Sequence, residues 1–128
     1  MIGVGPSVGL FSLVTSALAA AQAYAPVVTM SVTLPDGRMQ ELSAPESGLG
    51  TVSLEDGTTY GFQPTIQDSM PWNRIVVTIF RMATTTSPTQ IVGTVELERG
   101  GPAADSKTTP SFRVAILNVS LPTQRSKS

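Results

Sequence analysis

The sequence predicts an all-β protein, an antiparallel β-sandwich of about seven strands that is immunoglobulin-like in outline. After Pro26, apolar residues recur at every second position, which is the pattern of a strand with one buried face. Segments rich in Gly, Pro and Asp separate these stretches, and no helical period appears after Ala25. With 128 residues, the chain fits one domain.

The N-terminal segment differs from the rest of the chain. The first 35 residues carry no charged side chain, and the apolar, helix-prone stretch "VGLFSLVTSALAAAQAYA" ends in the small-x-small form that signal peptidases read. We therefore predict a signal peptide or apolar N-terminal segment at 1–25, a β-sandwich domain at 26–121 and a flexible C-terminal tail at 122–128. A signal peptide predicts an extracellular or periplasmic protein.

Two details depart from a signal peptide. The start "MIGVGPS" has no Lys or Arg, and Pro26 follows the expected scissile bond, so cleavage after Ala19 or Ala21 is a substitute. The alternative is a retained helix, used as a membrane anchor or within an assembly. The apolar stretch at 8–25 has eighteen residues, which is at the lower limit for a helix that crosses roughly 30 Å of hydrocarbon.

The strands follow in order along the body of the chain. The stretch "RIVVTIFRM" is apolar on both faces, which predicts a central strand. The other clear alternating segments have one apolar face, and they are 28–34, 52–54, 60–66, 91–97 and 112–116. Four stretches are expected to be loops or tails because they are rich in small polar residues, Gly and Pro, namely 68–73, 83–89, 100–110 and 121–128.

Two hairpin turns can be predicted in more detail, since "LPDGR" and "LEDGT" share one pattern. In the second, a three-residue loop places Val52 opposite Tyr60 and keeps the apolar residues on one face. Such a loop is a type I turn followed by glycine in the left-handed conformation, so we predict positive φ at Gly37 and Gly57. The structural turn residues are Pro35, Asp36, Gly37, Glu55, Asp56 and Gly57.

The composition excludes most familiar chemistries. Cys and His are both absent, so there is no disulfide, no thiolate nucleophile, no imidazole base and no nitrogen or sulfur ligand for zinc, copper or haem. Eight basic and nine acidic side chains give no dense positive field, which argues against nucleic-acid binding. We predict no enzymatic activity, no cofactor and no metal.

Acidic residues provide two weaker hypotheses. Glu96 and Glu98 project from one face of a predicted strand at about 7 Å spacing, which carboxylate-pair hydrolases also use, but a solvated outer face explains them better. Asp36, Glu55 and Asp56 offer oxygen ligands for calcium, but turn chemistry explains them better, because Asp in such positions bonds its own backbone.

Trp72, with its neighbours Met70 and Asn73, is the best candidate for a contact site. Aromatic residues on loops often anchor protein or glycan partners. The alternative is that Trp72 folds back and plugs the end of the sandwich, because a small domain with few aromatic residues tends to bury its largest one. The triplet Asn118-Val119-Ser120 matches the N-glycosylation pattern, and chance explains it adequately.

These observations predict an exported, non-enzymatic β-sandwich that acts as a binding or accessory module through surface contacts. Its expected partner is an unknown protein or glycan surface. The alternative is a structural subunit of an extracellular filament or surface layer, assembled through its retained apolar N-terminal segment. Self-association belongs to that alternative, and membrane contact requires that the segment be retained.

Overall fold

The computed structural model describes residues 25–122 and contains eight β-strands in that range. The strands are β1 (Val27–Thr33), β2 (Met39–Pro45), β3 (Gly50–Ser53), β4 (Thr59–Ile66), β5 (Arg74–Arg81), β6 (Gln90–Glu98), β7 (Ala104–Asp105) and β8 (Arg113–Ser120). The predicted N-terminal segment and C-terminal tail lie outside the described residues, apart from Ala25 and Pro122. No helix long and apolar enough to cross a membrane occurs within 25–122.

The strands form two antiparallel four-stranded sheets that pack together as a sandwich. One sheet has the order β3-β4-β5-β6, in which consecutive strands are hydrogen-bonded neighbours. The other has the order β2-β1-β8-β7, so two hairpins are joined where the first and last strands pair. Arg99, directly after β6, forms an isolated bridge with Ile116 of β8. The predicted all-β, two-sheet architecture is therefore confirmed.

The core lies between the two sheets and follows the alternation in the sequence. In β1, every second residue is buried, and Val28, Met30 and Val32 have no exposed surface. Phe112 packs against the rings of Tyr60 and Phe62, with ring centroids 5.1 and 5.3 Å apart. Full burial of such a side chain contributes roughly 1.5–3 kcal/mol, so this layer accounts for much of the stability.

The strand count exceeds the prediction by one, and two strands do not follow the expected pattern. Within β2 only Ala44 is fully buried, because this strand is at a sheet edge and most of its side chains face solvent. The strand β7 lies inside the segment 100–110, which was expected to be a loop, so that expectation was wrong there. Pairing of Ala104 with Val114 and of Asp105 with Arg113 defines this two-residue strand.

Both hairpin turns have the predicted geometry. In the second, the Gly57 amide donates a hydrogen bond to the Leu54 carbonyl at 3.0 Å, and Gly57 has φ +90°. Val52 lies opposite Tyr60, which is the register that a three-residue loop requires. In the first hairpin, Gly37 donates to the carbonyl three residues before it at 2.9 Å and has φ +94°. Burial of Val52 and Tyr60 on one face therefore sets the loop length in the second hairpin.

Candidate functional site

The loop between β4 and β5, residues 67–73, carries the three predicted contact residues and is called the β4–β5 loop below. Met70 is 65% exposed, and Pro71 and Asn73 are also exposed. Trp72 is half-buried and packs against the core. The loop therefore combines an exposed apolar tip with an aromatic side chain that anchors it to the sandwich and remains partly accessible.

Asp68 holds the two ends of this loop together. One carboxylate oxygen accepts a hydrogen bond from the Asn73 amide at 3.1 Å, and the other accepts one from the Arg74 amide at 3.2 Å. The amide of Gln67 donates to the carbonyl of Arg74 at 2.8 Å, which closes the loop directly above the β4–β5 pairing. A carboxylate that accepts backbone amides in this way fixes the loop much as a cap fixes the first turn of a helix.

Asn73 connects the β4–β5 loop to the end of β6. The Arg99 amide donates to the Asn73 carbonyl at 2.8 Å, and the Arg99 guanidinium donates to the Asn73 side-chain oxygen at 3.1 Å. Two bonds between the same two residues fix their relative orientation. The loop is thus attached to β4, β5 and β6 rather than to one hairpin alone.

The backbone of Trp72 has an unusual conformation. Its φ is +61°, and its amide donates to the Ser69 carbonyl at 3.0 Å. A bulky residue at positive φ costs of order 1–3 kcal/mol and persists only where the surroundings determine it. Ser47 and Lys107 also have positive φ, but both are exposed side chains. The hydrogen bonds from Asn73 and Arg74 to Asp68 restrict the backbone directly after Trp72.

A groove of about 420 Å³ lies beside the β4–β5 loop. Gln67 and Arg74, the residues at the two ends of the loop, form part of its wall, and Glu96 and Glu98 of β6 form another part. The remaining lining residues are Ile75, Val76, Leu97, Pro102, Ala103 and Ala104. Both glutamates are exposed, as expected for the outer face of the sheet.

The two acidic hairpin turns lie at one shallow groove of about 220 Å³. Pro35 and Asp36 from the first turn, and Leu54, Glu55 and Asp56 from the second, line this groove. Within residues 25–122, no group of three or more His, Cys, Asp or Glu side chains is placed to hold a metal ion. The arrangement therefore adds no support to the calcium hypothesis.

Hydrogen bonds to the backbone occupy the carboxylates of these turns. Asp36 accepts from the Arg38 amide at 3.0 Å, and Asp56 accepts from the Thr58 amide at 2.9 Å. These backbone bonds are the main cause that lowers the pKa of both carboxyl groups, and the Arg38 side chain adds to the effect at Asp36. Turn chemistry thus explains the acidic residues, as the sequence predicts.

One exposed ion pair connects β7 to β8. The Arg113 guanidinium donates to the Asp105 carboxylate at 3.0 Å. This hydrogen bond is the main cause that lowers the pKa of Asp105 and raises the pKa of Arg113. Exposed pairs of this kind contribute little to stability, so the pair serves mainly to orient the short edge strand.

The glycosylation triplet lies on β8. Asn118 is exposed and is paired with Thr29 of β1, on the sheet that does not carry the β4–β5 loop. Ser120 is the last residue of the strand and is also exposed. The triplet is accessible, but it belongs to a regular strand and lies outside the candidate site.

Two residues that build the site were not singled out from the sequence. Asp68 opens the segment "DSMPWN", and a loop aspartate that bonds nearby amides is a recognisable signal. Arg99 gives no such signal, because its partner Asn73 is 26 positions away and becomes a neighbour only through sheet pairing. The groove depends on the same pairing.

Comparison with known proteins provides no guide to function. No protein-family model matches the chain, and no curated protein or solved structure matches it significantly. Its function is therefore inferred from its own residues.

Proposed function

We propose that this protein is an exported, non-enzymatic binding or accessory module that contacts its partner through the β4–β5 loop. One observation carries the proposal: Met70 is 65% exposed at the tip of a loop whose ends are fixed by the Asp68 carboxylate. Burial of this side chain against a partner would remove apolar surface from water, which favours association.

The constrained backbone favours binding for a second reason. A loop that is already ordered loses less conformational entropy on association than a flexible one, so more of the contact energy appears as affinity. Met70 has an adaptable side chain, and the accessible part of Trp72 offers an aromatic surface next to it. A protein or glycan surface would suit this combination.

The sandwich would act as a rigid support for the loop. We propose the immunoglobulin-like comparison only in this sense, that two packed sheets present contact loops at their ends. The strand order is different, because β3-β4-β5-β6 is a simple meander, whereas immunoglobulin sheets combine strands that are distant in sequence. The functional analogy therefore rests on the loop and its anchoring.

Export is proposed from the uncharged start, and an intact-mass measurement on protein from the native host tests it. A mass lacking about two dozen N-terminal residues supports an extracellular or periplasmic module. A full-length mass together with large assemblies in size-exclusion chromatography supports the alternative, a filament or surface-layer subunit that uses its retained apolar segment.

The binding proposal is tested by affinity capture with matched variants. Tagged protein is recovered from its native host, and co-purifying molecules are identified by mass spectrometry. Met70→Glu places a charge at the tip of the β4–β5 loop, and Met39→Glu places the same charge on β2, where the side chain is 70% exposed. We expect one identified partner to be lost with Met70→Glu and retained with Met39→Glu. Equal recovery with both variants would contradict a contact through this loop.

A further inference from the structure

The backbone hydrogen-bonding pattern defines which groups of β6 face away from the sheet. The Arg99 amide donates a hydrogen bond to the Asn73 carbonyl, so Asn73 and Arg99 are a hydrogen-bonded pair. Hydrogen-bonded pairs recur at every second position along two antiparallel strands, here β5 and β6. Leu97 and Val95 accordingly bond Ile75 and Val77. The intervening residues of β6, namely Thr94, Glu96 and Glu98, direct their amides and carbonyls toward the outer edge.

Pairing between β4 and β5 supports the same assignment. The Gln67 amide donates to the Arg74 carbonyl, which places the even-numbered residues of β5 against β4. The odd-numbered residues, among them Ile75 and Val77, are then left to bond β6. The two independent bonds agree, so the outward direction of the backbone groups at Thr94 and Glu96 is well defined.

The chain itself occupies one outward backbone group of β6, at Glu98. At one end, the Glu98 carbonyl accepts a hydrogen bond from the Gly101 amide at 2.9 Å. Thr108 packs against β6 on the face that Gly93 shares with Val95 and Leu97, since a Cβ at Gly93 would lie 2.6 Å from the Thr108 methyl. Among the described residues, no hydrogen bond is made to the outward backbone groups of Thr94 and Glu96. Within residues 25–122, the outward backbone groups of Thr94 and Glu96 are therefore unbonded, and Glu96 also lines the 420 Å³ groove.

The side chains along this stretch carry negative charge. Glu96 and Glu98 project from the same face, two residues apart, at about 7 Å spacing. Both are exposed, and the ion pairs among the described residues involve neither of them. Arg74 lies opposite Glu98 across the strand pair, so it offsets the field at one end, while Glu96 lies opposite Val76.

We propose that an extended peptide with basic side chains at alternate positions adds to β6 as a short extra strand. Its backbone bonds Thr94 and Glu96, and its basic side chains, about 7 Å apart on one face, lie beside Glu96 and Glu98. A second copy of β6 fits this edge poorly, because self-pairing brings like charges together. The inference deepens the proposed function and rests on it, since the groove adjoins the β4–β5 loop and the inference gives the chemistry of the partner.

The probe is a blocked heptapeptide of sequence Gly-Thr-Lys-Thr-Lys-Thr-Gly carrying a fluorophore, and its binding to the protein is measured by anisotropy at low salt. The matched peptide has Glu in place of both Lys. We expect binding of the lysine peptide only, and a loss of at least about tenfold in affinity with the Glu96→Lys, Glu98→Lys double variant. The charge-matched control is the Glu41→Lys, Glu55→Lys double variant, whose substituted side chains are exposed elsewhere, and it should bind with at most a twofold loss.

Backbone pairing is tested with two N-methylated forms of the lysine peptide. One is methylated on the lysines and the other on the threonines, so their charges are identical. Strand addition requires that one form lose binding and the other retain it, because only alternate amides face β6. Equal binding of both forms, or no binding of the lysine peptide, would overturn the inference. Dimerisation of the protein that the glutamate double variant alters would assign the edge to a second copy and would also overturn it.

The two proposals can fail separately. Capture that depends on Met70 while the lysine peptide does not bind would reject the strand addition and leave the binding module intact. Peptide binding without any Met70-dependent partner would reject the contact through the β4–β5 loop.

Discussion

Replacing Asp68 by Ala removes the acceptor that holds the β4–β5 loop closed. The carboxylate accepts two backbone amides, from Asn73 at 3.1 Å and from Arg74 at 3.2 Å. A hydrogen bond of this kind contributes about 0.5–1.5 kcal/mol net. Asn73 and Arg74 are exposed, so water can replace part of the loss. We therefore expect Asp68→Ala to lower the free energy of unfolding by about 1–2 kcal/mol, with a decrease in Tm of about 5–15 °C for a domain of this size.

The assay uses Trp72, the single tryptophan of the chain, as a local reporter. Thermal unfolding is followed by far-UV circular dichroism for the sheets and by tryptophan emission for the loop. In Asp68→Ala, the emission should shift to longer wavelength before the sheets unfold, because the loop no longer holds Trp72 against the core. Glu41→Ala is the control, since it removes an exposed carboxylate that makes no hydrogen bond among the described residues. If both variants had the same Tm and emission, the anchoring role of Asp68 would be refuted.

Three further predictions concern the scaffold. Ser106 is the only buried polar residue among the described ones, and its hydroxyl accepts a hydrogen bond from the Phe112 amide at 2.9 Å. Ser106→Ala should therefore lower the free energy of unfolding in urea by about 2 kcal/mol. Ser111→Ala, at an exposed position, should lower it by less than about 0.5 kcal/mol. Gly57→Ala should cost about 1–2 kcal/mol in the same assay, because alanine is unfavourable at φ +90°. Three aspartates have folded-state pKa values below their unfolded values, so their contribution to stability is complete above the unfolded pKa of about 4 and is lost as the pH falls through the lowered folded values. The urea midpoint should therefore decrease on acidification below about pH 4. The variant Asp56→Asn should show a smaller decrease. The three are Asp36, Asp56 and Asp105.

The sequence is sufficient to predict the sandwich, its main strands and the geometry of both hairpins. Burial forces this result, since a one-residue change of register would move Val52 or Tyr60 out of the core. The edge strand β2 and the short β7 were harder to predict, because an edge strand with exposed side chains has no alternation, and two residues are too few to show any. Their position depends on pairing with β1 and β8, which no local pattern encodes.

The candidate site could be predicted only in part. The segment "DSMPWN" indicates a contact loop. The two alternatives for Trp72 were an exposed contact residue and a side chain folded back onto the sandwich, and its position lies between them, since the side chain packs against the core and remains partly accessible. The sequence does not show that Asn73 would meet Arg99 or that β6 would be an edge strand. Both depend on the order of strands in the sheet, which becomes known only from the fold.

The β4–β5 loop and the β6 edge together form a continuous candidate surface. Gln67 and Arg74 belong to the groove wall and also flank the loop, so a partner could contact both features at once. The exposed apolar tip would supply contact area, and the acidic edge would supply orientation and specificity.

The most direct test of a contact through the β4–β5 loop is site-specific photo-crosslinking in the native host. A photoreactive amino acid replaces Met70 in one strain and Met39 in another, at positions of nearly equal exposure. We predict a discrete cross-linked adduct with the probe at position 70 and none of that mass with the probe at position 39. The absence of an adduct at position 70, or the same adduct from both positions, would contradict a function that depends on this loop.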